Sequence, residues 1–189
     1  GSVETIISDS GEQRQVWRPS ETVRAIAYDT PVVGWRGKSV NTLRLWRARA
    51  VEDLHLERFN AGDHFGAVAE VVRAEAGQEL RLRQEYFFVS ASLQDLLRRH
   101  LNMHATLMDL PEHAAIQMND THPSIAVAEL MRQLIDNHGI AWDAAWKITV
   151  GTLAYTNHTL LPEALETWSV GLMERMLPRH MQIIYIINA

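Results

Sequence analysis

The sequence predicts an α/β layered sandwich, and three observations predict it. Short apolar runs of strand length occur at "AAIQM" and "AYTNH"; a polar loop carrying Asn, His and Pro follows each; and stretches with apolar residues three and four apart lie between and after them. With 189 residues and 47% hydrophobic side chains, the chain can bury one sizeable core, as a single domain or one large lobe.

Taken in order, "ETIISD" and "QRQVWRP" read as two short strands around a Ser-Gly turn. "TVRAIAYDTPVVGW" reads as a third strand that stops at Asp29-Thr30-Pro31. "SVNTLRLWRARAV" is a fourth, alternating only approximately through Val40, Leu43, Leu45 and Ala48, so the first quarter is expected to form a meandering sheet. Residues 60–75 turn helical, with Phe65, Val68, Ala69 and Val72 on one face and Ala76-Gly77 as the stop.

"ELRLRQEYFFVSASLQDLLRRHL" begins a second helical region, with Val89, Leu93, Leu96 and Leu97 in register. It finishes on Arg98-Arg99, cations that suit a helix C-terminus. After "AAIQM", a long amphipathic helix places Val127, Leu130, Met131, Leu134 and Ile135 on one face and stops at Gly139. A helix over 142–153 leads into "AYTNH", and Pro162 with Glu163 beside it marks the first turn of another helix. The final "MQIIYIINA" puts Ile183, Ile184, Tyr185, Ile186 and Ile187 in succession, which wants burial on all sides. A covering partner outside these residues is expected. No internal repeat, low-complexity stretch or clear linker interrupts this order.

A net charge of −5, without a strong basic stripe, gives no electrostatic case for nucleic acid or an anionic membrane. There is no cysteine, so neither a disulfide framework nor a thiolate metal site can form, and a reducing, cytoplasmic setting is expected. The sequons at Asn119 and Asn157 read as chance. No charged-then-apolar leader and no apolar stretch of membrane-spanning length occurs, so neither targeting nor spanning is expected.

The loops "NDTHP" and "NHTLLPE" share a place, the carboxyl end of an apparent strand, where open α/β sheets bind ligands. Asn, Asp, Thr and Pro are also favoured helix starters, so capping is the ordinary reading of "NDTHP". Capping does not require the histidine in each loop. His122 and His158, with Asp120, Glu163 and Glu166 near in sequence, suit hydrogen bonding to a polyhydroxylated ligand, an Asp fixing a His tautomer. A structural role for each His stays the alternative.

His100 and His104 are four apart and can share a helix face, but no HExxH, cysteine or third ligand with recognisable spacing accompanies them, so no metal is expected. Arg44, Arg98 and Arg99 suit an anion site, against the ordinary reading as solvated arginines at helix ends. There is no glycine-rich phosphate loop, and the two lysines, Lys38 and Lys147, sit in no cofactor motif. Of the six tryptophans, Trp142 and Trp146 at helical spacing read as core rather than as a sugar-stacking surface.

The run "AIQMNDTHPSIAVAELMRQLIDNHGIAWDAAWKITVGTLAYTNHTLLPEALETWSVGLMERMLPRHMQII" closely resembles the glycogen and maltodextrin phosphorylases, the pyridoxal-phosphate α-glucan phosphorylases. The resemblance extends upstream through "AYDTPVVGWRGKSVNTLRLWRARA", "FNAGD" and "ELRLRQEYFFVSASLQDLLRRH", and so covers nearly all of the chain from about Thr22 onward. It implies a layered, Rossmann-like lobe of a GT-B-type glycosyltransferase, incomplete, with residues 1–189 forming part of the first lobe. The second lobe, which in the family carries pyridoxal phosphate and the phosphate-clamping groups, has no counterpart among these motifs, so no cofactor is expected on this piece.

The resemblance implies a parent transferase that lets phosphate attack the terminal α-1,4 link of glycogen or maltodextrin and releases glucose 1-phosphate. His158 matches the histidine that contacts the transferred glucose, Asp120 the carboxylate that supports it, and His122, Ala164 and Glu166 positions lining the channel behind the sugar. None matches the proton donor, so these residues position substrate rather than carry catalysis. Tyr28, Asp29, Arg44, Arg98 and Arg99 match the region where regulated members bind an activating nucleotide phosphate. Residues 60–75 resemble the tower helix that packs against its twin in the family homodimer. A carbohydrate-binding or dimerisation module without catalysis is the alternative.

Three positions depart from the family pattern. Only Ala76 stands between Glu75 and "GQELRLRQEY", where the family has a mobile gate over the active site; Ile186 replaces an acidic residue; and Val71-Val72 is apolar for a tower helix.

Overall fold

The computed structural model describes residues 1–8, 11, 13–51 and 77–189. The predicted helix over 60–75, and the dimer surface expected on it, lie outside the described residues. The chain divides into two compact units, residues 21–80 and residues 1–20 with 81–189.

The smaller unit is built on an antiparallel ribbon. β3 (Val23–Val33) pairs with β4 (Val40–Ala50) in one register, from Val23 opposite Ala50 to Val33 opposite Val40. A single 3₁₀ turn, Trp35–Gly37, closes the ribbon, with Arg36 at φ 59° and Gly37 at φ 68°. The strand does not stop at Pro31 as expected: Pro31 sits opposite Thr42 inside it. A two-stranded ribbon has an open edge, where a residue without an N–H leaves no ladder bond unmade. The expected meander is also corrected, because β3–β4 and the first hairpin are separate two-stranded sheets.

In the larger unit, β1 (Ser2–Ile7) and β2 (Gln13–Arg18) form that hairpin, with Gly11 at φ 83° in the connection. α1 (Gly77–Met103), in this unit from Arg81 onward, is a 27-residue helix that buries Leu82, Val89, Leu93 and Leu97 and runs past Arg98-Arg99, where the sequence suggested its end. A short helix, α2 (Leu110–His113), begins with Pro111 in its first turn. β5 (Ile116–Asn119) then lies parallel to β6 (Leu153–Thr156), and the crossover between them holds α3 (Ala126–Arg132), a π-helical turn (Gln133–Asn137) and α4 (Trp142–Thr152). The strand–helix–strand order is therefore mixed α/β, as expected.

The helix predicted at Pro162 is one 3₁₀ turn, Pro162–Ala164. α5 (Val170–Met176) starts later, where Ser169 accepts from the Leu172 N–H at 3.3 Å, an ordinary serine N-cap. α6 (Pro178–Asn188) contains the apolar terminal run: Ile183 is fully buried, whereas Tyr185, Ile186 and Ile187 are exposed.

The core joins Val89, Leu93 and Leu97 of α1 to Leu130, Met131 and Leu134 of the crossover, Ile148 of α4 and Ile183 of α6. The predicted apolar face of α3 is there, but the helix is not amphipathic in the expected sense, because Glu129, Arg132, Gln133 and Asp136 are buried too. They tolerate burial because they are paired. Glu129 accepts from His180 Nε2 at 2.6 Å, Arg132 Nε at 2.8 Å, Gln133 Nε2 at 2.8 Å and Ser90 Oγ at 2.9 Å. Asp136 takes both arms of Arg179 at 2.8 and 2.9 Å. No helix among the described residues is long and apolar enough to cross a membrane.

Candidate functional site at the ends of the parallel strands

Parallel pairing aligns the ends of β5 and β6, putting Asn119 opposite Thr156. The next amide extends the ladder by one bond, Asp120 N–H to the Thr156 carbonyl at 2.9 Å. Asp120 then takes a left-handed conformation, φ 68°, which a short polar side chain tolerates. This turns the chain sharply into 121–125 and toward α3. The Gln117 amide also donates to Thr156 Oγ1, so the two strand ends are cross-linked by side chain and backbone together.

His158 lies two residues beyond β6, exposed, with Nε2 hydrogen-bonded to Asn119 Oδ1. An amide oxygen only accepts, so Nε2 carries the proton and Nδ1 keeps a lone pair. The loop is held locally as well: Asn157 Nδ2 donates to the Thr159 carbonyl, and Asn157 Oδ1 accepts from the Thr159 N–H, both at 2.9 Å.

The expected support of His158 by Asp120 is not the contact seen. Asp120 Oδ1 accepts from the Thr121 N–H at 2.7 Å, and Asn119 holds the histidine. Adjacent residues at a strand end face opposite ways, so only one of Asn119 and Asp120 can meet the neighbouring strand's loop. The capping reading of "NDTHP" is corrected by the same geometry. The residue before α3 is Ile125, without a side-chain cap, and the Asp120 carboxylate serves the turn instead.

Glu166 belongs to a second cluster. Its Oε1 is 2.5 Å from Arg81 Nε, and the same nitrogen donates to Glu85 Oε1 at 3.1 Å. Burial pushes the Glu85 carboxyl up to about 7; the Arg81 hydrogen bond opposes this, and the nearby Glu166 carboxylate adds to it. His122 and Ala164 are both exposed, on the turn after Asp120 and on the 3₁₀ turn respectively.

Of the arginines read as an anion site, Arg44 makes a two-pronged pair with Asp29 across the ribbon, both contacts 2.6 Å, with its guanidinium over Trp46. Arg98 and Arg99 both pair with Asp95, at 2.6 and 3.1 Å. Each guanidinium is therefore already matched to a carboxylate. Sequence reasoning missed Asn119, Arg81 and Glu85. Only the last two left a signal, the four-residue spacing of an Arg and a Glu on one helix.

The family model described as carbohydrate phosphorylase matches residues 1–189. The chain belongs to the carbohydrate phosphorylase family. It is 50% identical over 201 aligned positions to a glycogen phosphorylase of Synechocystis sp., covering all of this chain and 24% of that protein. Against the muscle form of Ovis aries it is 48% identical over 91% of the chain and 23% of the relative, and against the liver form of Bos taurus it is 49% identical over the same shares. This phosphorylase chain thus spans about a quarter of the length of the curated relatives it matches. The Synechocystis alignment is longer than the 189 residues here, so that relative has residues without counterparts in this chain.

Proposed function

We propose that the protein containing this chain is an α-glucan phosphorylase. It transfers the terminal glucose of glycogen or maltodextrin to inorganic phosphate, and residues 1–189 supply part of the wall that holds that glucose. In the reaction a phosphate oxygen bonds to the anomeric carbon, the α-1,4 C–O bond breaks, and the released 4-oxygen takes a proton. The observation that carries the reading is His158 at the ends of β5 and β6, fixed by Asn119 with Nδ1 left to accept from a sugar hydroxyl. Glu166, held by Arg81, offers further acceptors for hydroxyl groups. Asp120, His122 and Ala164 line the same region on this reading.

We assign the crossover to the first, Rossmann-like lobe of a GT-B-type enzyme, supported by the parallel β5–β6 pair with helices between. Pyridoxal phosphate belongs to the parent enzyme on this proposal. The residues of this chain do not fit it: both lysines, Lys38 and Lys147, are exposed. A cytoplasmic homodimer using residues 60–75 completes the proposal, with effector contacts at Asp29 and Arg44 of the smaller unit and, separately, at Arg98 and Arg99 of the larger.

The test is phosphorolysis of a maltooligosaccharide by the intact protein, read as glucose 1-phosphate released. The intact enzyme is expected to turn over, and His158→Ala to lower kcat/KM by about 10-fold or more, the worth of a lost substrate hydrogen bond. Glucan binding without any glucose 1-phosphate would instead make this a module that has lost catalysis.

A further inference from the structure

At the C-terminal end of α1, away from the strand ends, one carboxylate sits among three imidazoles. His100, in the last turn of α1, places Nε2 2.9 Å from Asp109 Oδ1 and 2.9 Å from the Thr106 carbonyl oxygen. His104, just past α1, has Nδ1 3.5 Å from Asp109 Oδ2, and His113 on α2 has Nε2 3.6 Å from the same oxygen. Ligand atoms of His100, His104 and Asp109 all lie within 4.8 Å of one another.

A buried histidine bonded to a loop carboxylate would explain His100 and Asp109 alone. It does not explain two more imidazoles in series, His104 stacked on His100 with ring centroids 4.3 Å apart and His113 tilted against His104 at 4.0 Å. A single divalent cation satisfies the lone pairs of His100 and His104 and the Asp109 carboxylate together. We propose that His100, His104 and Asp109 form a structural site for a divalent transition metal of the zinc class, with His113 at its rim, tying the end of α1 to the segment that leads into α2.

The donor set is nitrogen and carboxylate oxygen, which suits zinc rather than magnesium or calcium. Ligands about 2.1 Å from a tetrahedral ion lie about 3.4 Å from one another. The separations here bracket that value. One adjustment is needed: imidazole lone pairs lie in the ring plane, and the His100 and His104 rings are only 13° from parallel. His104 has room to turn, its side chain being 25% exposed, whereas His100, at 4%, is pinned. The ion takes the place of the Nε2 proton that His100 now shares between Asp109 Oδ1 and the Thr106 carbonyl oxygen, so binding releases a proton.

The experiment is a Zn²⁺ titration of the intact, chelator-treated protein by calorimetry at pH 7.5, in two buffers of different ionisation enthalpy. Elemental analysis follows dialysis. Wild type is expected to retain one more zinc per chain than His104→Gln or Asp109→Asn, and to release a proton on binding. His113→Gln, a change at a side chain 42% exposed, keeps the test available if a first variant fails to fold, and is expected to weaken binding about 10-fold. Equal zinc content in wild type and in a folded His104→Gln protein overturns the proposal. Failure of phosphorolysis leaves this result untouched, since the readout is bound metal.

Discussion

Asn119 and His158 are bonded side chain to side chain across the ends of two parallel strands, and that bond sets which nitrogen of the histidine faces outward. Asn119→Leu removes the only-accepting group that keeps the proton on Nε2, while leaving the backbone ladder intact. In the intact protein it is expected to raise KM for the glucan by roughly 5-fold, about 1 kcal/mol, with kcat/KM falling further than kcat. Steady-state phosphorolysis kinetics check this; unchanged parameters would show that the loop alone holds His158.

Glu85, Arg81 and Glu166 predict a pH effect. The Glu85 carboxyl titrates near 7 in the folded chain against 4.5 as a free group, chiefly through burial. Between those values the folded state holds a proton that the unfolded state has released, so this group's contribution to stability falls as pH rises from 4.5 to 7 and is flat above. Glu85→Gln is expected to flatten that slope and to leave the protein more stable than wild type at pH 8. Urea midpoints at pH 5, 6, 7 and 8 measure it, and parallel curves for the two proteins would contradict the burial argument.

The opposite sign holds for Glu129. Burial works against its charge, but the hydrogen bonds from His180 and Arg132 outweigh that and hold its carboxyl well below the usual carboxylate range. The stability it gives is therefore fully present above about pH 4.5, the free value, and is lost as pH falls below it. Glu129→Ala leaves Arg132 and His180 buried without their anion, and is expected to cost about 3–5 kcal/mol at pH 7. Equilibrium unfolding gives the number, and a loss under about 1 kcal/mol would mean that water or another side chain replaces the carboxylate.

These cases show where the sequence was legible. The strands at "AAIQM" and "AYTNH", whose observed bounds are Ile116–Asn119 and Leu153–Thr156, the helix stop at Gly139 and the polar loops at the strand ends all follow from local rules of period and turn chemistry. What failed needed a partner far along the chain. Asn119 meets His158 39 positions away, Glu129 meets His180 51 positions away, and Glu166 meets Arg81 only after folding. An amphipathic helix ordinarily turns its polar face to solvent, but that of α3 is buried. Its burial depends on Arg179 and His180 arriving from α6.

α6 separates what this chain covers from what it leaves open. Ile183 is 0% exposed in the core and Ile186 is 52% exposed, one turn further along an apolar run. Ile183→Ala is expected to cost about 2–5 kcal/mol, the cost of a cavity at a fully packed site. At Ile186 a surface substitution would ordinarily stay within about 0.5 kcal/mol. Tyr185, Ile186 and Ile187 are exposed together, however, and the relatives extend well beyond the length matched here. On the expectation that further chain of the intact protein packs on that face, Ile186→Ala is expected to cost more than about 1 kcal/mol there. Unfolding of both variants in the intact protein decides it, and a cost at Ile186 within the surface range would mean that the face stays open to solvent.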